Sequence, residues 1–309
     1  MRNSNKLKIL ITGGAGFVGS HLVDKLLELK HQVVIVDNLI TGKKAFVRGG
    51  DFYKLDIKSP KIETIFKKYK FDIVFHLAAQ KSVPYSLKNP QFDAQENILG
   101  SLNLLENCLK YKVKKFIFTS TGGAIYDQAQ KFPTPETEKA KPLSPYAISK
   151  FAVEKYIEFY GQIKNLPYTI LRPANIYGPR QDPKGEAGVV AIFINNLLHQ
   201  KACYINGNGK QTRDLVYVQD VVNALIKSIK AKNKIYNIST AQDININKLY
   251  QKIASLMGVP KKALYKPAIK GEVQKSQLSY NKIEKDLNWQ PKYSLEKGIR
   301  ETIEYFKNN

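Results

Sequence analysis

Residues Ile11–Leu22 read "ITGGAGFVGSHL" and join two different sequence patterns. The preceding run "LKILIT" (7–12) is branched and apolar, as in a strand that is buried on both faces. In the following segment Leu22, Val23, Leu26 and Leu27 recur at helical spacing. The turn between them carries Gly13, Gly16 and Gly19 around Phe17 and Val18. Glycines at this spacing let the backbone approach a pyrophosphate at a helix N-terminus, so the segment predicts a dinucleotide site.

The next apolar run, "HQVVIVD", ends at Asp37. A carboxylate at the end of the second strand can accept hydrogen bonds from both hydroxyls of an adenosine ribose. The same carboxylate would repel a 2′-phosphate. We therefore predict that the cofactor is NAD rather than NADP.

The rest of the chain repeats the strand–helix alternation. Further buried strands are predicted in "FDIVFHLA", "VKKFIFTS" and "YTILRPA", with helical stretches between them. This order predicts an α/β fold with a doubly wound parallel sheet, the Rossmann arrangement, over residues 1–178. After Gly178 the alternation loosens, and residues 179–309 are expected to form mainly a smaller substrate-binding cap, with some segments returning to the sheet. Helices are predicted there at 189–199, 218–231, 246–257 and 295–306.

Composition narrows the class of protein. The chain has 309 residues, 43% of them hydrophobic, and a formal charge of +23. The lysines are scattered and often flanked by acids or amides, which favours a solvated surface over a nucleic-acid or membrane patch. Cys108 and Cys203 match no metal or redox spacing, so we expect no disulfide, no metal and a reducing cytoplasm. No stretch resembles a signal peptide or a membrane span.

Two further segments carry groups suited to proton transfer. "STGGAIYD" (120–127) places two hydroxyls at the end of a predicted strand, and "SPYAISK" places Tyr146 and Lys150 four residues apart. Residues at this spacing share one face of a helix. An adjacent ammonium stabilises a phenolate, so we expect the tyrosine pKa to fall below its usual value of about 10. A tyrosine tuned in this way can accept a proton from a hydroxyl and return it.

These segments occur in order with "HLAAQKSV", "NILGSLNLLE", "LRPANIYGPRQ" and "GNGKQTRDLVYVQDV". The chain thereby resembles the extended short-chain dehydrogenases/reductases, specifically the NAD-dependent epimerase/dehydratase family, and is most similar to its UDP-glucose 4-epimerase members. The resemblance implies bound NAD and a UDP-sugar substrate. It also implies a homodimer formed through the helices in "NILGSLNLLENCLKY" and "YAISKFAVEKYIEFY".

The resemblance also implies roles for individual residues. Around the cofactor, it places Asp56 and Ile57 beside the adenine and Asn97 as a brace at the active-site end of the sheet. The remaining expected cofactor residues are Asn38, Leu77, Ala78, Ala79, Lys81 and Pro173. At the reacting carbon, Thr121 is expected to hydrogen-bond the C4 oxygen of the sugar, with Ser120 as the alternative. Tyr146 is expected to be the acid/base, and Lys150 to hold the nicotinamide ribose and tune Tyr146.

On the substrate side, Asn175 and Arg213 are expected to grip the diphosphate. The late motif reads "AIKGEVQKS" and has Ile269 where the family usually has an arginine, with Lys270 beside it. Lysine neutralises a phosphate only as a point charge, so the nucleotide preference stays open. Counting from Gly271 and Glu272, Ser276 matches the position that limits the space for the C2 substituent of the sugar. Its small side chain predicts that UDP-N-acetylglucosamine is accepted alongside UDP-glucose.

The residues after the hydroxyls favour one reaction. Dehydratases of this family carry an acidic pair there to expel water, whereas this chain has Gly122 and Gly123. A reaction that removes a hydride from C4 and returns it needs no such acid, so epimerisation is predicted. A 4,6-dehydratase or an NAD(P)-dependent 4-keto reductase remains an alternative. So does a non-enzymatic relative that senses dinucleotides or associates with RNA, although such relatives tend to lose the tyrosine or the lysine.

Overall fold

Twelve strands are present in the computed structural model, which describes residues 6–127, 129–184, 188–259, 262–269 and 272–309. They are β1 Lys8–Thr12, β2 Gln32–Asp37, β3 Asp51–Lys54, β4 Ile73–His76, β5 Lys115–Thr119, β6 Tyr168–Pro173, β7 Asn175–Tyr177, β8 Tyr204–Asn206, β9 Thr212–Tyr217, β10 Lys234–Ile238, β11 Asp243–Asn245 and β12 Leu264–Lys266. Seven of them form one parallel sheet in the order β10-β6-β5-β4-β1-β2-β3. The strand order reverses between β1 and β4, and ligands bind such sheets at the carboxyl ends of the strands at this point.

Helices connect these strands. They are α1 Phe17–Glu28, α2 Ile62–Tyr69, α3 Val83–Lys88, α4 Pro90–Ala94, α5 Gly100–Lys110, α6 Gly122–Ile125, α7 Pro145–Ile163, α8 Val189–Leu198, α9 Val218–Lys227, α10 Ile246–Leu256, α11 Asn281–Leu287 and α12 Leu295–Lys307. A π-helical turn, Gln95–Leu99, joins α4 to α5, and 3-10 turns occupy Lys44–Phe46 and Ser228–Lys230. No helix in the described part of the chain is long and apolar enough to cross a membrane.

The sheet has a hydrophobic core on each face. Alternating residues of β1 point to opposite sides, with Ile9 and Ile11 in the cluster that contains α1 and α9. Leu10 instead joins the cluster that contains α2, α5 and α7. Helices therefore cover both faces, which confirms the predicted doubly wound sheet and explains why its strands read as continuous apolar runs.

The C-terminal half adds a third hydrophobic cluster, built around α8, α10 and α12. A three-stranded sheet, β11-β9-β7, and a two-stranded sheet, β12-β8, lie in this half. The four helices predicted there are present as α8, α9, α10 and α12, with ends that differ by up to four residues. Strand β10 pairs with β6 in the main sheet. The division of the chain at residue 178 stays a prediction.

Candidate active site

The turn between β1 and α1 requires glycine at two positions. Gly13 has φ +72°, and a Cβ there would lie 2.6 Å from the Ala78 backbone nitrogen. A Cβ on Gly19 would lie 2.1 Å from the Gly13 carbonyl oxygen, so helix and turn meet backbone to backbone. Gly16 donates its N–H to the same oxygen at 3.1 Å and precedes the first turn of α1, where Phe17 and Val18 lie. The N–H groups of that turn are the donors that an anion would use.

Asp37 is fixed beside this turn. Its buried carboxylate accepts hydrogen bonds from the backbone N–H groups of Ala15, at 3.0 Å, and Leu39, at 2.9 Å. The next residue, Asn38, donates to the Asp56 carboxylate at 3.4 Å. The fold thus brings together three predicted cofactor residues from the ends of β2 and β3, and Ile57 is buried beside Asp56.

The loop after β4 is held by Asn97 in the π-helical turn. The Asn97 side chain accepts a hydrogen bond from the Gln80 N–H, at 2.9 Å, and donates to the Gln80 carbonyl, at 3.0 Å. This reciprocal pair fixes the segment that contains Leu77, Ala78 and Ala79, next to the glycine turn. Lys81 in the same loop is exposed and lies within electrostatic reach of Asp182. Asn97 therefore fixes the loop after β4, and its role at the cofactor stays a prediction.

The predicted catalytic residues meet where β5 ends and α7 begins. Of the two candidate hydroxyls, Thr121 hydrogen-bonds the side chain of Tyr146. Ser120 Oγ is buried and has no hydrogen-bond partner within the described ranges. The prediction that the Tyr146 pKa falls below its usual value is wrong. Loss of contact with water raises the pKa of Tyr146 to about 12, with the Thr121 hydrogen bond acting in the opposite direction.

Lys150 is buried on the same face of α7 as Tyr146, one helical turn further on. Its ammonium lies 4.1 Å from the centre of the Phe118 ring. Burial lowers the pKa of Lys150 to about 7, and the carboxylates of Glu154 and Asp93 oppose this shift. A lysine in this environment is charged below neutral pH and loses its charge above it.

Glu154 is engaged with a second cation behind the site. Its carboxylate accepts hydrogen bonds from Arg172 Nε at 3.0 and 3.2 Å, and both side chains are buried. Arg172 lies in β6, next to Pro173, which is buried at the end of that strand. Arg172 also donates to the hydroxyl of Tyr126 at 2.5 Å. This network links α7, β6 and the segment after β5, which carries Thr121.

Two of the predicted substrate residues, Asn175 and Arg213, lie on neighbouring strands of the β11-β9-β7 sheet. Arg213 in β9 donates to the Glu272 carboxylate and to the Val273 carbonyl, each at 2.7 Å. Asn175 Oδ1 at the start of β7 is buried without a hydrogen-bond partner in the part of the chain that is described. Ile269 is exposed, and Lys270 lies outside the described residues.

Ser276 is buried at a cavity of about 10 Å³, which Gly122, Gly123, Phe132 and Thr134 also line. This space holds about one water molecule. A Cβ on Gly122 would lie 2.3 Å from the Leu278 side chain, whereas one on Gly123 would lie 3.6 Å from Asn175 Oδ1. A side chain at Gly122 would therefore displace Leu278 and crowd the Arg172 carbonyl oxygen, whereas Gly123 has space for one. Neither position carries a carboxylate.

Several residues of the site were not predicted from the sequence. Gln80 and the buried Asp93 support the loop after β4, and Glu154 and Arg172 lie behind Lys150. A signal was available, because Asp93–Asn97 and Lys150–Glu154 are both spaced by four residues on helical segments. Among the described residues, no group of three or more His, Cys, Asp or Glu side chains is placed to hold a metal ion.

The residues at the sheet edge fit a dinucleotide. A side chain at Gly13 or Gly19 would occupy the space in which backbone segments approach each other closely. The N-terminus of α1 is available for a pyrophosphate, and the carboxylate of Asp37 is held at the end of β2. Together with the tyrosine–lysine pair on α7, these features define an extended short-chain dehydrogenase/reductase.

Comparison with known proteins identifies the family. Residues 9–239 match the NAD dependent epimerase/dehydratase family, and the chain belongs to it. A putative UDP-glucose 4-epimerase of Methanocaldococcus jannaschii is 42% identical over 97% of this chain and 99% of the relative. The crystal structure of a UDP-glucose 4-epimerase of Thermotoga maritima with UDP-glucose is 49% identical, with a TM-score of 0.96, over 98% of this chain and 99% of that one. A UDP-N-acetylglucosamine 4-epimerase of Methanobrevibacter ruminantium, solved with UDP-N-acetylmuramic acid, is 32% identical, with a TM-score of 0.93 over 98% and 99%. The protein is a UDP-glucose 4-epimerase-like enzyme, and its cofactor is NAD.

Proposed function

We propose that the enzyme interconverts UDP-glucose and UDP-galactose through a 4-keto intermediate, with NAD kept bound. The observation that carries the proposal is the hydrogen-bonded pair of Thr121 and Tyr146 beside Lys150, with glycines where a dehydratase needs acids. Expulsion of water from the sugar needs a general acid next to the reacting carbon. Neither Gly122 nor Gly123 supplies one.

Each residue has a defined task in this reaction. Tyr146, as the phenolate, takes the proton of the sugar 4-hydroxyl and later returns it, and Thr121 orients that hydroxyl. Lys150, in its charged form, stabilises the phenolate against the effect of burial. Bound NAD supplies an acceptor for the hydride that leaves C4 and returns it. Arg213 and Asn175 hold the diphosphate while the 4-keto sugar turns over between the two half-reactions.

The test is a panel of UDP- and dTDP-sugars incubated with the purified protein and catalytic NAD. Conversion of UDP-galactose to UDP-glucose without net consumption of cofactor is expected. A 4-keto-6-deoxy product would instead identify a dehydratase, and stoichiometric oxidation of added NAD(P)H would identify a reductase. No turnover of any sugar, combined with salt-sensitive RNA binding, would favour the non-enzymatic alternative.

We also propose that the N-acetylated pair of sugars is accepted, with a higher KM than the plain hexoses. Ser276 lines the cavity next to Gly123, where its small side chain takes up less room than a tyrosine ring would. Because the free space is about 10 Å³, an acetyl group requires outward movement of residues 273–277. Ser276→Tyr should suppress turnover of UDP-N-acetylglucosamine and spare UDP-glucose, whereas Ser276→Ala should keep both. If Ser276→Tyr lowers the turnover of both sugars equally, Ser276 does not select between them.

We propose a homodimer that pairs through the outer face of α7. Exposed apolar side chains follow one side of this helix, namely Ile148, Tyr156, Phe159 and Ile163. Helix α5 packs beside α7, so a two-fold pairing would form a four-helix interface that covers this stripe. Cys108 and Cys203 are buried in separate hydrophobic clusters.

Sedimentation analysis tests the dimer. Phe159→Glu places a charge in the middle of the stripe and should yield monomers at concentrations where the wild type is dimeric. The matched control is Leu264→Glu, an exposed apolar residue of β12, which should stay dimeric. A monomeric wild type, or dissociation by both variants alike, would contradict the proposed interface.

A further inference from the structure

Asp93 is a buried carboxylate next to the tyrosine–lysine pair, and the proposed reaction gives it no task. It lies in α4 and is fully buried. Its Oδ1 accepts hydrogen bonds from Gln80 Nε2, at 2.7 Å, and Asn97 Nδ2, at 3.1 Å. Its Oδ2 is also buried and has no hydrogen-bond partner among the residues that the structure describes. A buried carboxylate oxygen without a partner is costly, so a second role is expected for it.

The charges around Lys150 show what this role is. Helix α4 packs against α7, and the groups that face Lys150 are Asp93 from α4, Glu154 and Tyr146 from α7, and His76 and Phe118 from β4 and β5. Burial holds His76 neutral by lowering its pKa to about 3. Phe118 has no charge of its own. The two carboxylates are therefore the negative charges available to compensate the Lys150 ammonium.

The two carboxylates differ in their other partners. Glu154 makes the larger contribution to the charged form of Lys150, and it also forms an ion pair with Arg172. The hydrogen-bond partners of Asp93 are two neutral amides. Within the described ranges, Lys150 forms no salt bridge with an N–O distance of 4.0 Å or less. The negative charge that compensates its ammonium is therefore nearby but not in contact with it.

We propose that Asp93 is an electrostatic positioning residue, whose carboxylate keeps the Lys150 ammonium charged in the active site. Through Gln80 and Asn97 the same side chain fixes the loop that contains Ala78 and Lys81. The proposal rests on the proposed function, because that function gives Tyr146 and Lys150 their chemical tasks. It adds a residue that acts on both of them without contact with the sugar.

Removal of the charge has a distinctive consequence. The Asp93 carboxylate raises the pKa of Lys150, against the larger effect of burial, and it also raises the pKa of Tyr146. In Asp93→Asn both groups should therefore lose their protons at lower pH. Because the reaction needs the phenolate and the ammonium together, the two limbs of the pH–activity profile report the apparent pKa values of the Tyr146–Lys150 pair. Both limbs should move to lower pH by about one unit.

The experiment compares four proteins: the wild type, Asp93→Asn, Gln80→Met and Asp220→Asn. Gln80→Met removes a hydrogen-bond donor to Asp93 but keeps the charge. Asp220→Asn neutralises a buried carboxylate of α9, which accepts hydrogen bonds from the Lys292 and Tyr293 N–H groups. The first readout is the pH profile of UDP-galactose epimerisation. The second is the ultraviolet absorbance of the Tyr146 phenolate in NAD-loaded protein without sugar, taken as the difference from Tyr146→Phe.

A shift of about one unit to lower pH in both readouts is expected for Asp93→Asn alone. Loss of activity at every pH with unmoved limbs would overturn the proposal, and so would the same shift in Gln80→Met. If Asp93→Asn does not fold, Asp93→Ser leaves room for water and should show the same shift. Failure of both to fold, while Gln80→Met folds, would assign Asp93 to folding and also overturn the proposal. If the wild type leaves UDP-sugars unchanged, the proposed function is wrong. The absorbance titration would still test the effect of Asp93 on the ionisation of Tyr146.

Discussion

Arg213 and Glu272 form an ion pair at 2.7 Å across 59 residues of sequence. The same guanidinium donates to the carbonyl oxygens of Thr212 and Val273, so it ties β9 to the segment that leads to Ser276. Three of its hydrogen bonds thus go to the protein itself. A diphosphate would be bound by the guanidinium N–H groups that these three bonds leave, while the three bonds themselves hold the segment that leads to Ser276.

Arg213→Met should raise the KM for UDP-sugars at least about tenfold, because each hydrogen bond to a charged group contributes roughly 1.5–3 kcal/mol. NAD binding should be unchanged, since Arg213 lies in the β11-β9-β7 sheet and not in the sheet that carries the glycine turn. Steady-state kinetics and NAD titration measure the two effects. Arg300→Met is the matched control, because Arg300 is an exposed arginine paired with Glu296 on α12. An unchanged KM in Arg213→Met would remove Arg213 from the diphosphate site.

Tyr146→Phe should lower kcat by about 10²–10⁴-fold and leave NAD bound. Only the phenolic oxygen is lost, and the ring keeps its place at the start of α7. Single-turnover measurements on the NAD-loaded variant give the rate, and cofactor content after gel filtration gives the binding. Near-normal turnover would show that another group moves the proton.

Asp37→Ala should weaken NAD binding and relax the discrimination against NADP. NAD affinity should fall for two reasons. The carboxylate would bind the ribose, and it also accepts hydrogen bonds from the N–H groups of Ala15 and Leu39 beside the glycine turn. Affinities for both dinucleotides are measured by calorimetry. Asp51→Ala, which removes an exposed acid at the start of β3, should leave them unchanged. A preserved preference for NAD in Asp37→Ala would mean that the ribose is bound elsewhere.

The stability of the fold should fall as the pH drops from about 6.5 to about 4, partly because of His21. Burial lowers the pKa of His21 to about 4, and its Nε2 contacts the Pro179 carbonyl oxygen at 2.9 Å. The unfolded chain therefore binds more protons than the folded chain in this window, which costs on the order of 3 kcal/mol of the free energy of unfolding. Denaturant titrations at stepped pH should show a flatter dependence for His21→Gln. The exposed His199→Gln should follow the wild type, and identical slopes for all three would refute the role of His21.

The order of elements was predictable from the sequence because its signals are local. The apolar runs, the helical spacing and the glycine turn each lie within about a dozen residues, and they give the doubly wound sheet without long-range information. Asp37 and the Tyr146–Lys150 pair were predictable for the same reason. Each stands at a fixed offset from an element whose geometry is regular.

The tertiary structure alone decided which distant groups act on one another. Thr121, rather than Ser120, hydrogen-bonds Tyr146 because the chain leaves β5 with that side chain toward α7. The Tyr146 pKa is raised because several elements bury its side chain, and residue spacing in the sequence does not predict this burial. Asp93 sits near Lys150 only because α4 packs against α7, and Arg213 meets Glu272 only because β9 lies beside the late segment. Electrostatic effects depend on distance and desolvation in space, so they are settled when separate segments come together.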